Sequence, residues 1–282
     1  MKLARYDAGA GVRIGLVLDD TIVDLAAGDG DAMINLIAEW DTRKEAIAGA
    51  AGSAEGRPLS SVRLLAPVAR PGKIFAIGLN YADHIAESKA ETPQHQVWFT
   101  KAGTSINGPF DPILIAKSGP FVDYEVELVA VIGKRGRNIA KADAAKHVFG
   151  YCVGNDVTER AWQHRTPQWS LGKSFDTHAP IGPWITTADE VGDPHALGLR
   201  CFVNGEKRQE SNTKHLVFRV WDQIEHLSQA MTLEPGDLIF TGTPAGIGAA
   251  MEPRRFLKAG DVVRCEIDGL GAIEGAMIAA TA

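Results

Sequence analysis

Residues 121–133 read F-V-D-Y-E-V-E-L-V-A-V-I-G. The second half, Leu128 to Ile132, is an unbroken apolar run rich in β-branched residues and closed by Gly133. That is the pattern of a strand buried on both faces. The first half breaks it. Alternate side chains of a strand share a face, so Asp123, Glu125 and Glu127 point one way while Tyr124, Val126 and Leu128 point the other. Carboxylates entering a buried strand are costly unless paired or neutralised. A hard divalent cation would neutralise them. Two carboxylates at i and i+2 lie roughly 6–7 Å apart along a strand, so one oxygen of each can reach a shared Mg²⁺ or Mn²⁺. A solvated edge-strand face, or ion pairs with Lys or Arg, gives the same charge pattern.

Upstream, Ile74 to Ile77 reads as a short strand closed by Gly78 and followed by L-N-Y-A-D-H-I-A-E-S. Asn80 or Asp83 would cap a short helix there. His84 and Glu87, three residues apart, become neighbours on it. A carboxylate beside an imidazole orients the ring and raises its basicity, which makes a general base. A surface histidine beside a solvated glutamate is the plain alternative. Residues 88–96, S-K-A-E-T-P-Q-H-Q, are polar and without period, a mobile loop or lid in which His95 is solvated. Val97 to Thr100 resumes a strand. The turn A-G-T-S-I-N-G-P after it can offer amides to an anion.

Downstream, Phe149 to Asp156 is a second apolar strand with an acid at its end, either a helix cap or a site residue. Thr158 would cap a turn that sets Arg160 and Gln163 on one side, and arginine offers a planar fork suited to a carboxylate. Lys173 follows Gly172 in a loop crowded with Gly, Pro and aromatic residues. It is surface decoration or a cation held near a developing negative charge. G-T-P-A-G-I-G at 242–248 lacks the Lys-Ser/Thr ending of a P-loop and the full Gly-x-Gly-x-x-Gly spacing, so nucleotide binding is rejected. The same loop can present the Thr243 hydroxyl and nearby amides to a substrate.

Residues 1–68 read as a separate small domain and 69–282 as the main one. In the first, Lys2 to Tyr6, Arg13 to Leu18 and Thr21 to Leu25 are strands, Asp31 to Trp40 is a helix capped by Asp31, and Gly/Ala/Ser-rich 49–56 is a loop. In the second, Asp111 to Ala116, Trp184 to Thr187, Leu199 to Asn204 and Asp237 to Thr241 are strands. Val262 to Ile267 is the last clear one. Asp143 to Val148 is helical, Asn204-Gly205 is a hairpin turn, and Leu216 to Met231 is an amphipathic helix.

Across 282 residues the chain is 45% hydrophobic and 23% charged, enough for a large core. A net charge of −6 argues against nucleic acid or an anionic membrane as partner. No apolar run approaches a membrane span. The three cysteines are widely spaced and leave one unpaired, which suits a reducing cytosol. Cys152 and Cys265 lie in apolar runs and read as small buried hydrophobes. The start, M-K-L-A-R-Y-D, carries no apolar leader, so a cytoplasmic protein is expected.

Six segments occur in order: N-Y-x-x-H-x-x-E at 80–87, D-Y-E-V-E-L at 123–128, G-Y-x-x-x-N-D-V at 150–157, R-x-x-Q at 160–163, G-K-S-F-D-T at 172–177 and T-G-T-P-A-G-I-G at 241–248. Together they resemble the fumarylacetoacetate hydrolase family in its shorter prokaryotic type. The resemblance covers about residues 65–280, with the N-terminal segment as the small variable domain. It implies an α+β, mostly β fold: a mixed β-sandwich roll, with a small N-terminal α/β domain, usually dimeric. It implies Glu125, Glu127 and Asp156 as ligands to Mg²⁺ or Mn²⁺, and His84 with Glu87 as the water-activating pair. Lys173 would lie beside the metal-held substrate, and Arg160, Gln163 and Thr243 would contact substrate oxygens. The lid and His178, where an apolar residue is expected, depart from the pattern at positions that would choose the substrate.

The expected reaction is hydrolysis of a C–C bond in a small 2,4-dioxo acid, of acylpyruvate or diketo-deoxy sugar acid type. Oxaloacetate-type decarboxylation, isomerisation of a 2-oxo acid and ureidoglycolate lysis use similar chemistry. A metal-stabilised binding protein would have no need of the His84–Glu87 pair. A structural dimer would have no need of the carboxylates.

Overall fold

The computed structural model describes residues 1–50, 55–89 and 91–280. Two sheets form the body. The larger is twelve-stranded and mixed, and its centre runs Lys2–Asp7, Ala179–Thr187, Val148–Asn155, Val126–Ile132, Leu238–Phe240, Ile74–Gly78 and Val97–Thr100. The smaller runs Glu206–Asn212, Gly198–Val203, Val262–Ile267, Gly271–Ala279 and Ile113–Ile115.

The Val126–Ile132 strand generates two cores at once. All seven of its residues are buried. Val126, Leu128, Ala130 and Ile132 pack with Cys201, Val263 and Ile273 of the smaller sheet. Val129 and Val131 pack with Met33, Leu36 and Ile37 of the Ala32–Ala38 helix. A side-chain period of two divides one apolar run between the inside of a sandwich and the space under a helical cover. This is the mostly-β, mixed-sheet architecture expected.

The first three strands, Lys2–Asp7, Val12–Leu18 and Thr21–Ala27, stand where the alternation puts them. They extend the large sheet, because Leu3 pairs with Ile185. All three cysteines are free and buried. No helix among the described residues is long and apolar enough to cross a membrane.

Several local expectations fail. The acidic stretch is not one strand: Val122–Asp123 pairs with Thr158–Glu159, and the ladder restarts at Val126. The Asp31 side chain makes no cap bond. The helix it precedes stops at Ala38, and a second helix, Trp40–Ala50, runs into the expected 49–56 loop. Residues 51–54 of that loop lie outside the described residues, as does Ala90 of the 88–96 segment. The Ala82–Glu87 helix has Tyr81 at its cap position, and the Asn80 side-chain oxygen accepts the Phe218 amide while its nitrogen donates to the Phe218 and Thr241 carbonyls. Glu159, not Thr158, caps the Arg160–Gln163 turn, accepting from the Trp162 amide. The helix expected at Asp143 to Val148 does form, as a 3-10 helix over Lys141–His147. The amphipathic helix begins at Val220, since Leu216 is bridged to Tyr81. Gly271–Ala279 is a further strand beyond Val262–Ile267.

Leu128 is fully buried between the sheets. Leu128→Ala should lower unfolding free energy by about 2–5 kcal/mol, read from the urea midpoint. A loss below about 1 kcal/mol, the range of an ordinary surface change, would contradict this packing.

Candidate active site

Three carboxylates meet where the central strands end. Glu127 is the second residue of the Val126–Ile132 strand, Glu125 lies just before it, and Asp156 directly follows the Val148–Asn155 strand. The antiparallel register sets Val126 opposite Asn155, and the Asp156 amide donates to the Glu125 carbonyl at 2.8 Å. One ligand oxygen from each of Glu125, Glu127 and Asp156 lies within 4.8 Å of the others, and all three residues are buried.

Buried cations surround them. Lys173 Nζ donates to Glu125 at 2.7 Å and to Asp156 at 2.6 Å. Arg160 Nη2 reaches Glu125 at 2.7 Å and Asp123 at 2.9 Å. Lys101 holds the second Asp156 oxygen at 2.6 Å and also donates to the Lys173 carbonyl. The set comprises four carboxylates, Asp123, Glu125, Glu127 and Asp156, against three cations, Lys101, Arg160 and Lys173. Burial alone would raise the Glu125 carboxyl, but Lys173 and Arg160 overturn this and hold it below its ordinary value. Glu127 lacks such a partner. Its hydrogen bond comes from the Gly242 amide at 2.7 Å. Burial, then repulsion from Asp156 and Glu125, raises its carboxyl well above the usual range. Oxygen donors with one uncompensated negative charge suit a hard divalent cation.

His84 and Glu87 bond as the helical spacing predicts, Nδ1 to Oε1 at 2.9 Å. The other Glu87 oxygen accepts the Gly246 amide at 2.9 Å. The His84 Nε2 has no hydrogen-bond partner among the described residues. Arg160 Nη1 donates to Gln163 Oε1 at 3.0 Å. Every expected site residue except Asp156 lines one cavity of about 440 Å³; Asp156 lies behind its wall with no exposed surface.

Other expectations change. Asp123 does not join the triad. It accepts from Arg160 and from the Gly248 and Ala249 amides. Within the 242–248 loop, the Gly242, Gly246 and Gly248 amides donate to the Glu127, Glu87 and Asp123 carboxylates. The Thr243 hydroxyl accepts from Gln209 Nε2 at 2.8 Å. His178 does not line the cavity. It is fully buried and stacked on Phe175, and burial pushes its pKa down to about 3. His95 is exposed, as expected. Lys101 escapes sequence reasoning because a lysine ending a strand reads as a surface residue. Gln209, whose oxygen accepts the Val126 amide, escapes because it lies in a polar strand.

The sequence model described as "Fumarylacetoacetate (FAA) hydrolase C-terminal" matches residues 73–278, and that described as "Rv2993c-like, N-terminal" matches residues 1–67. A mitochondrial oxaloacetate tautomerase of Xenopus laevis is 45% identical, over 99% of this chain and 90% of that protein. The crystal structure of maleylpyruvate hydrolase from Sphingobium sp. SYK-6, in complex with manganese(II) and pyruvate, is similar at 36% identity and TM-score 0.86, covering all of both chains. A 5-carboxymethyl-2-hydroxymuconate delta-isomerase from Mycobacterium smegmatis is similar at 33% identity and TM-score 0.80, again over all of both chains.

Lys101 and Asp156 are paired with no exposed side-chain surface on either. Lys101→Met leaves the Asp156 Oδ1 without its donor while Lys173 still holds Oδ2, and should cost about 1–3 kcal/mol, read by thermal or urea unfolding. Unchanged stability would show that this ion pair does not hold Asp156.

Proposed function

The chain belongs to the fumarylacetoacetate hydrolase family, and from that premise we propose that it is a metal-dependent enzyme acting on a small 2-oxo acid in the 440 Å³ cavity. The reaction we infer is keto–enol proton transfer in an oxaloacetate-like acid. The observation that carries it is the His84–Glu87 pair in the same cavity as Glu125 and Glu127. A pure binding site has no use for a base there.

Glu125, Glu127 and Asp156 would hold Mg²⁺ or Mn²⁺, which when bound supplies Lewis-acid polarisation of the 2-oxo group and its carboxylate. The chain's own residues supply the rest. With Nδ1 tied to Glu87, His84 uses Nε2 to take a proton from the carbon next to the 2-oxo group and to return it at the enol oxygen. Glu87 fixes the ring and is itself held by the Gly246 amide. Lys173 and Arg160 offer positive charge where the enolate oxygen develops. Gln163 and Thr243 line the cavity as neutral polar contacts. The likeness to an oxaloacetate tautomerase along nearly the whole chain supports this outcome.

Hydrolysis of a 2,4-dioxo acid is the second reading, supported by the likeness to a maleylpyruvate hydrolase. His84 would then deprotonate a water that attacks the 4-carbonyl. The broken bond's electrons would leave as a pyruvate enolate, to be protonated at carbon. In either case we assign the chemistry to residues 69–282 and a scaffolding role to residues 1–68.

With Mg²⁺ or Mn²⁺, the protein should speed the decay of enol absorbance from oxaloacetate, and His84→Ala should reduce kcat about 10²–10⁴-fold. Release of two carboxylic acids from acylpyruvates, with no effect on oxaloacetate, would select hydrolysis instead. Turnover of neither substrate would reject both. Glu125→Gln should abolish Mn²⁺ binding in calorimetry. Because the Glu127 carboxyl is raised and an ion needs it ionised, binding should release a proton, and affinity should weaken as pH falls. Calorimetry in buffers of different ionisation enthalpy reads that proton; its absence would contradict the assignment.

A further inference from the structure

The cavity lining carries one charge that none of the interactions above uses. Its lining acids are Glu87, Glu125 and Glu127, each with a hydrogen-bond or ion-pair partner. Its lining cations Arg160 and Lys173 are ion-paired with Asp123, Glu125 and Asp156. Arg254 also lines the cavity, is exposed, and has no hydrogen bond or carboxylate partner among the described residues. Its neighbour Arg255 differs, bound through both terminal nitrogens to Glu206 at 2.8 and 3.0 Å. His164 lines the cavity too and feels the charge of Arg254. Burial first, then Arg160, Lys173 and Arg254, lower its pKa, so it is neutral at pH 7 and Arg254 carries the charge there. Phe256 and Ile247 line the cavity with them and offer no competing acid.

We propose that Arg254 is a specificity residue that binds the far carboxylate of a 2-oxo diacid while the other end of that acid occupies the triad. A guanidinium fork free of internal partners matches a carboxylate in two-point geometry. A monocarboxylic 2-oxo acid leaves it in water at no cost. The selection therefore acts through diacid affinity and leaves the proton-transfer step unchanged.

The inference rests on the cavity binding 2-oxo acids, and the test separates the two. Wild type and Arg254→Ala, Arg254→Gln and Arg254→Lys are assayed with Mn²⁺ on a graded series of 2-oxo diacids. Oxaloacetate is the shortest, and each diacid is set against its far-end monoester. Oxalate inhibition probes the triad end alone. The expected result is a KM raised about tenfold for at least one diacid in the Ala and Gln variants, equivalent to one charge-assisted contact. The corresponding kcat values, the monoester KM and oxalate inhibition should hold within about twofold, below the energy of one such contact. Lys should restore most of the preference, and added salt should erode it in wild type and the Lys variant but not in the Ala and Gln variants. Equal changes on diacid and monoester, or no change on either, would overturn the role of Arg254 while leaving the cavity assignment standing. Failure of oxalate to bind wild type, with no 2-oxo acid turned over, would overturn both.

Discussion

The structure depends on keeping four carboxylates ionisable inside a protein. Removing charge from water is costly, and nearby opposite charge offsets it only with good geometry and hydrogen bonds on the remaining lone pairs. Lys101 and Lys173 take one oxygen each of Asp156, and Arg160 spans Asp123 and Glu125. These cations come from three separate parts of the chain, and each position is defined by a different element. The Lys101 amide extends the Ile74–Gly78 pairing through the Ile74 carbonyl, Arg160 opens a helical turn, and Lys173 follows a 3-10 turn whose Trp169 carbonyl accepts its amide. The arrangement stops one charge short. Glu127 has an amide but no cation, and its carboxyl is therefore raised well above the usual range.

The location at the strand ends follows from the same constraint. Inside a ladder every amide is already bonded to a neighbouring strand. Beyond the ladder, amides are free to serve carboxylates. The break between Val122–Asp123 and Val126–Ile132 turns Asp123 toward the Gly248 and Ala249 amides, while the Glu125 amide goes to the Asn155 side chain. The site and the irregularity of the acidic stretch therefore have one cause.

What sequence reasoning reached has a physical pattern. Val126–Ile132 and Val148–Asn155 were legible because a fully buried strand must be apolar throughout, and the acids stood out against that background. His84 and Glu87 were legible because helical spacing alone makes them touch. Asp123 was misread because alternation assumes an unbroken strand. The Trp40–Ala50 helix was missed because it buries only Ile47 and presents no apolar stripe. Gly271–Ala279 was missed because its Gly and Ala residues mute the alternation that its burial obeys. Lys101, Asn80 and Gln209 were unreadable for a deeper reason. Each acts on residues far away in the chain, and local sequence carries no trace of such a partner.

The loop T-G-T-P-A-G-I-G invites confusion with a phosphate cradle, and its geometry explains why. In both cases glycines let backbone amides approach anionic oxygens. Here the oxygens are the protein's own. Gly242 has φ +106°, and a Cβ there would sit 2.7 Å from the Asn80 side chain. Gly246 has φ +104°, and a Cβ would come within 2.0 Å of the Arg208 carbonyl oxygen. These two residues donate to Glu127 and Glu87. One short segment, anchored at Thr241 to the Leu128 carbonyl by both amide and hydroxyl, thus holds the Glu127 carboxylate, the Glu87 partner of His84, and the Asp123 anchor of Arg160. Their relative positions are set together, so a shift of this loop would displace Glu87, Glu127 and Asp123 in concert.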